Sequence, residues 1–418
     1  MILRHRRCFI IFEKAVKNID EKYLVEITRE LIQIPSENPP GNYKEITKFI
    51  SNEWKRIGLD VKVVEVPMEE VKKAGLETPR INVIGKLKSS HGKEPVLVLD
   101  SHTDTVPAGS GWSVDPFGGI IKDGRIYGRG ASDCKGGLAS MTAAMDALVR
   151  SEIEFEGTVI ITATVDDEIA GTLGARYLLE KGYIKPTYAI VGEGSQSTTE
   201  PKALDIVTTF GGRTWIKIAT KGKAAHGGAP HLGINAIDKM IKVILAVEKE
   251  LKIKPHPLYP GTINLGTIRG GRKTNVVPDY CEATFDIRFG PGETVDNILN
   301  KIGKIVEKIQ SEDPELTVTE ITPFERREAF EVPPEHELVK TLTKHIVNIV
   351  GKPPKYVGTL GSGNAYHYWD VLKAPAVFFG PGYPPTLHKP DEYVEIDMLK
   401  YTTKIYVLTA LDLCKPLM

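Results

Sequence analysis

The sequence predicts an α/β domain interrupted by an inserted α+β domain. Three observations carry this. Apolar strands alternate with helical stripes from Leu24 to Val191, the pattern turns strand-rich between Asp205 and Ile321, and the first pattern returns after Glu331. Buried strands separated by helices build a sheet with helices packed on it.

In chain order, Leu24, Ile27 and Leu31 recur at helical spacing, and the run 35–41 breaks that helix. Ile46, Phe49, Ile50 and Ile57 mark a second helix, with Gly58 as its stop. Strands are expected at 61–66, 81–87 and 96–100, followed by a helix over 138–150, a strand over 158–165, a helix over 173–181 and a strand over 188–191. The insert offers a strand-rich stretch over 205–221, a helix over 235–251, strands over 262–268 and 283–288, a helix over 295–311 and a strand over 316–321. A helix over 335–350, a strand over 374–379 and a helix over 396–413 complete the first domain. The expected division is 1–203, 204–323 and 324–418.

A chain of 418 residues suffices for two or three domains. With 54 Lys+Arg against 54 Asp+Glu it has no basic excess, which argues against a nucleic-acid partner. Cys8, Cys134, Cys281 and Cys414 are too few and too scattered for a disulfide framework, so a reducing, cytoplasmic setting is expected. No apolar run approaches the ~18 residues of a membrane span. The segment CFIIF is shorter than the ~7–15 apolar residues of a secretion signal, so the N-terminus reads as a loose end or an upstream start. Three Gln among many Lys, Glu and Ile hint at a heat-adapted source.

Chemistry-bearing residues follow the apolar strands. His102 and Asp104 come after VLVLD, Asp166, Asp167 and Glu168 after TVIITATV, and Glu193 after YAIVG, while His388 lies in a loop beyond AVFFG. Open α/β sheets form sites beyond the carboxyl ends of their strands, so these distant segments are expected at one edge. Asp133, in GRGASDCKGG before a helix, is a fifth candidate ligand. His with carboxylates and no Cys suits Zn, Co or Mn. Asp133, Glu168 and Glu193 with one hydroxide carry four negative charges, which two divalent cations neutralise; one cation would leave a costly buried excess.

The text DSHTDTVPAG…W…DPFGGIIKDGRIYGRGASDCKGG resembles the co-catalytic zinc amidohydrolases and exopeptidases, a family that includes acetylornithine deacetylase, succinyl-diaminopimelate desuccinylase, aminoacylase and a glutamate-releasing carboxypeptidase. The match continues through TVDDEIAGTLGARYL, IVGEG, KGKAAHGGAPHLGINAI, TNVVPD, FDIR and FFGPG…LHKPDEYV, and SENPPG near residue 36 looks most like the deacetylase and desuccinylase branch. The resemblance implies a zinc-hydrolase mixed sheet with flanking helices, interrupted by a lid domain that makes a homodimer. It implies that His102 and Glu193 hold one metal, Glu168 and His388 the other, and Asp133 both. Zinc is the first expectation, with cobalt or manganese as alternatives. Asp104 would accept a hydrogen bond from His102 and fix its tautomer.

Two departures from the family text stand out. Asp167 replaces the usual Glu of the general base, one methylene shorter, and Asn364 replaces an Asp in a loop expected to shape the substrate pocket. The implied reaction is hydrolysis of an N-acyl amino acid by an activated water, with Asp167 moving the proton and His226, reaching in from the partner subunit's lid, stabilising the oxyanion. Arg288 would clamp a substrate carboxylate, against the plainer role of a salt bridge within the sheet, and Asn275 would contact substrate. Cys134 reads as a packing residue. The alternatives are a carboxypeptidase or dipeptidase acting on short peptides and, as a different class, a catalytically weak dimeric binding protein.

Overall fold

A mixed sheet carries the site. Its strands lie in the order Asp60–Glu65, Ile81–Lys86, Thr158–Thr164, Val96–His102, Tyr188–Val191, Ala376–Phe378 and Ile206–Phe210. The first three pair antiparallel; Val96–His102 runs parallel to both of its neighbours, and Ala376–Phe378 runs parallel to Tyr188–Val191. The register sets His102 opposite Thr164, and Asp100 opposite Thr162 on one side and Val191 on the other. Three parallel strands therefore end level with one another, and the next residues of each carry acids or histidines. Thr158–Thr164 is buried at every position, as its apolar run requires of a central strand covered on both faces.

The computed structural model describes residues 2–88, 94–169, 171–194, 200, 202–359, 361 and 363–417, with side chains from Ile10 onward. The chain divides into one compact unit of residues 1–208, 332–357 and 362–418, and another of 209–331 and 358–361.

In the first unit, Lys44–Arg56 buries Ile46, Ile50 and Trp54, and Gly136–Arg150 is buried over nearly its whole length. Ile396–Cys414 packs against both Gly136–Arg150 and Glu337–Val350. The N-terminus corrects the expected loose end: it is a helix, Ile2–Lys17, that packs on Ile396–Cys414 and buries Ala15 fully. Further elements were not expected, among them the helices Met68–Lys73 and Gly363–Leu372. Another is a hairpin of Ile120–Lys122 and Arg125–Tyr127, closed by Asp123 and Gly124 at φ 51° and 74°, the left-handed pair that a two-residue turn requires.

In the second unit the strand order is Thr262–Gly270, Tyr280–Phe289, Gly212–Lys221 and Thr317–Arg327, all antiparallel. Helices Ala236–Glu250 and Val295–Glu312 share one core with this sheet, including Ile216, Ile218, Val243, Phe285, Ile287, Ile298 and Ile302. The chain order strand–helix–strand–strand–helix–strand with this strand order is the ferredoxin-like arrangement. Among the described residues no helix is long and apolar enough to cross a membrane.

Candidate metal centre

Five side chains from the ends of separate elements converge in the first unit. His102 closes its strand, and its Nε2 lies 3.0 Å from Asp133 Oδ1 and 3.2 Å from Glu193 Oε1. On the other side, His388 Nε2 lies 3.1 Å from Asp133 Oδ2 and 3.4 Å from Glu168 Oε2. The two oxygens of Asp133 thus face two separate His–Glu pairs. Metal–ligand bonds of about 2.0–2.2 Å at tetrahedral angles leave ligand atoms about 3.3–3.6 Å apart, so these spacings lie close to those of a bound zinc-sized ion. The donor set of two imidazoles and three carboxylates fits a pair of divalent ions.

The loops that deliver these ligands are stitched together through backbone contacts. A Cβ on Gly137 would sit 2.2 Å from the Gly192 carbonyl oxygen, and one on Gly380 would sit 2.1 Å from the same atom. Asp133 is held from below by Glu392. This buried carboxylate accepts the backbone N–H groups of Gly130, Ser132 and Asp133 and pairs with Arg129 at 2.5 Å. Neither Glu392 nor Arg129 was a sequence candidate. Both lie within the matched motifs, but an acid and a base 263 residues apart give no local sign of pairing.

Without cations the site holds protons among its own groups. Burial alone would lower the His102 ring, but Cys134, Asp104 and Asp133 around it raise it well above its ordinary value. The carboxylates of Asp133 and Glu168 raise His388 to about 10. Burial pushes Asp133 up, yet hydrogen bonds from His102 and His388 win and hold it low. Burial raises Asp167 well above the usual carboxylate range, helped by Glu193, Asp104 and Asp133.

His102 Nδ1 lies 2.9 Å from the Asp104 main-chain oxygen and 3.5 Å from its carboxylate, so Asp104 faces that nitrogen with both. The Asp104 carboxylate also accepts the N–H groups of Asp167 and Glu168. Asn364 is fully buried and donates to Thr164 Oγ1 at 2.9 Å, at the end of its strand. Cys134 Sγ lies within 4.8 Å of ligand atoms of His102 and Glu193. Burial pushes its thiol up, and it sits against Ser101 Oγ at 2.9 Å.

His226, Asn275 and Arg288 lie in the second unit. His226 and Asn275 are neighbours there, since Gly227 N–H donates to the Asn275 carbonyl. Gly228 N–H donates to His226 Nδ1 at 3.0 Å, which leaves the proton of a neutral ring on Nε2. Arg288 makes the salt bridge within the sheet: Nε and Nη2 donate to the two Asp286 oxygens at 2.8 and 2.9 Å.

Solved structures share this architecture. The aminopeptidase PepT of Bacillus cereus aligns with a TM-score of 0.73 and 25% identity over 95% of this chain and 100% of its own. A tripeptidase of Staphylococcus aureus gives 0.70 and 23% over 95% and 99%. A metallo-carboxypeptidase of Sulfolobus solfataricus gives 0.66 and 18% over 93% and 98%. The profile of Peptidase family M20/M25/M40 matches residues 98–412, well over half of the chain, and the protein belongs to that family of enzymes that hydrolyse peptide and amide bonds.

Proposed function

We propose that this enzyme hydrolyses the amide bond of short peptides with the help of two divalent ions, zinc first, held in the first unit. The observation that carries the reading is the Asp133 carboxylate, one oxygen facing His102 and the other His388. His102 and Glu193 would hold one ion, Glu168 and His388 the other, and Asp133 both. Short peptides are favoured by the likeness to the Bacillus cereus aminopeptidase, 25% identical over 95% of this chain. N-acyl amino acids remain the second reading, on the strength of the SENPPG text at 36–41.

Two such ions supply Lewis acidity toward water and toward the scissile carbonyl. Asp167 takes the proton of the attacking water and returns it to the leaving amine. Its carboxylate has no hydrogen-bond partner among the described residues, so its lone pairs are free for that exchange. A proton affinity raised by burial suits a group that must hold a proton between two steps. The partner subunit's His226 would donate through Nε2 to the oxyanion of the tetrahedral intermediate. Asp286 takes Arg288 Nε–H and one Nη2–H, which leaves the Nη1–Nη2 end of the guanidinium for a substrate carboxylate.

The second unit would serve as lid and as the seat of a homodimer. Its edge strand Thr262–Gly270 pairs on one side only. Ile241, Leu245 and Ile268 expose 46%, 60% and 47% of their surfaces, more than a solvated face of this size requires.

The test is amine release by Zn- or Co-loaded protein from dipeptides, tripeptides, acetylornithine, acetyl-lysine and succinyl-diaminopimelate. Turnover confined to peptides and abolished by a chelator supports the proposal. Turnover confined to one acyl class moves the enzyme to the second reading. Asp167→Asn should lower kcat about 10²–10⁴-fold with both ions retained, and an Asp167→Asn variant as active as the parent would remove Asp167 from its role.

A further inference from the structure

Asp166 has a positive φ of 64°, unusual for a residue with a side chain. Its main-chain oxygen closes the turn that carries Asp167 and Glu168, accepting the N–H groups of Ile169 and Gly171 at 3.2 and 2.6 Å. Its buried carboxylate takes Arg80 Nε at 2.7 Å, Tyr43 OH at 2.9 Å and Asn38 Nδ2 at 3.0 Å. The same Asn38 Nδ2 lies 3.0 Å from Asp104 Oδ2. That Asp104 carboxylate in turn receives the N–H groups of Asp167 and Glu168, both at 3.3 Å. Asn38, Tyr43 and Arg80 are 2%, 1% and 0% exposed. The segment around Asn38 is itself anchored, because Asn38 N–H donates to Thr105 O at 2.8 Å.

We propose that Asn38, Tyr43 and Arg80 form a buried strut that positions the Asp167–Glu168 turn through Asp166 and Asp104. The inference rests on the dinuclear-metal reading above and assigns to that site three residues that hold neither ion. Stability alone explains the strut poorly. Arg80 and Asp166 are a buried ion pair, and well-packed apolar residues of similar volume often stabilise a fold at least as well as buried ions. Three of its contacts converge on Asp166 and one on Asp104, which between them hold the turn with the base and one ligand of the second ion, while Arg80 Nη1 also donates to Thr78 O. Asp167 is one methylene shorter than Glu, so its reach is set by where the main chain stands. A displacement of about 1 Å is enough to cost about 10²-fold in rate. Asn38 is the joint of the strut, because one amide nitrogen spans both carboxylates and no other described residue does so.

The test uses the full chain loaded with Co(II), in the variants Asn38→Ala and Tyr43→Phe. The readouts are the affinities of the two Co(II) ions and kcat and KM on a peptide that the parent cleaves. Asn38→Ala should lower kcat by about 30-fold or more with KM nearly unchanged. It should also weaken one of the two ions by about tenfold and leave the other within about twofold. Tyr43→Phe, which removes one hydroxyl and keeps the ring, should move both readouts the same way by about three- to tenfold, and it decides the matter if Asn38→Ala does not fold. Variants that lose only melting temperature, with kcat and both affinities intact, would overturn the strut, as would equal weakening of both ions. A parent protein that holds no Co(II) would overturn the metal reading and the strut with it. The metal readout needs no substrate, so silence across the peptide panel leaves it decisive.

Discussion

The two limbs of the candidate centre are built by opposite means. His102 is the last residue of a central strand, its side chain 1% exposed, and Glu193 follows the neighbouring strand Tyr188–Val191. Sheet pairing fixes His102, and Glu193 stands one residue past Gly192, whose N–H donates to Asp100 O at 2.8 Å. His388 sits in a loop at φ 62° with 54% of its side chain exposed, and Glu168 sits in a short turn after Thr158–Thr164. That limb owes its geometry to side-chain contacts and loop conformation. A regular element makes a site insensitive to single contacts, whereas a loop makes it adjustable and dependent on supports.

The largest expected effect joins the limbs. Asp133→Asn removes one of the shared charges, so both ions should weaken together and kcat should fall by about 10³-fold or more. Metal analysis after dialysis would check this, and the retention of both ions at parental affinity would break the picture of a shared ligand. Separate histidine substitutions should then tell the limbs apart. His102→Ala leaves buried carboxylates without their partner and should cost the metal-free protein about 2–3 kcal/mol in urea unfolding. His388→Ala should change it by less than about 0.5 kcal/mol while abolishing turnover. Equal destabilisation by the two would show that the limbs are alike after all.

Acidity offers a finer contrast. Asp133 and Glu168 hold the His388 proton up to about 10, against an ordinary value of 6.5. In the metal-free form that stabilising contribution is complete below the ordinary value and is lost as pH rises through about 10. An incoming cation must displace the proton, so Co(II) affinity should rise by about tenfold per pH unit between pH 6 and 8. A flat titration of affinity against pH would remove His388 from the ligand set. The smallest effect on activity concerns Asn364. Burial raises the nearby Asp100 carboxyl to about 6, and Asn364→Asp would set a second carboxyl beside it. Stability should fall by about 2 kcal/mol with kcat within about threefold at 25 °C, and a large loss of kcat would return Asn364 to the substrate pocket.

Much of this was legible from one sequence. Strands such as Thr158–Thr164 announce themselves because burial on both faces excludes charged residues and leaves only apolar residues and Thr. The candidate ligands were legible because each follows such a strand or lies in a Gly-rich loop. The supports were not. Asn38 meets Asp166 across 128 residues and Arg129 meets Glu392 across 263, and neither pairing leaves a periodic trace. A buried Arg80 looks like any surface arginine until its partner is placed beside it. Asp104 was read by its side chain, and the approach of its main-chain oxygen to His102 Nδ1 at 2.9 Å left no sign in the sequence. The Asp-Gly pair at 123–124 is a recognisable turn signal flanked by apolar residues, and it marks the hairpin that the expected elements left out.

The contact of Gly137 and Gly380 with the Gly192 carbonyl bears on how this scaffold can be altered. When a new side chain strikes another side chain, a second substitution can make room for it. Here the struck atom belongs to the main chain, and no residue exchange at Gly192 removes it. A library built on this enzyme would find no second-site suppressors for these positions, and useful diversity has to be drawn from the exposed loop that carries His388.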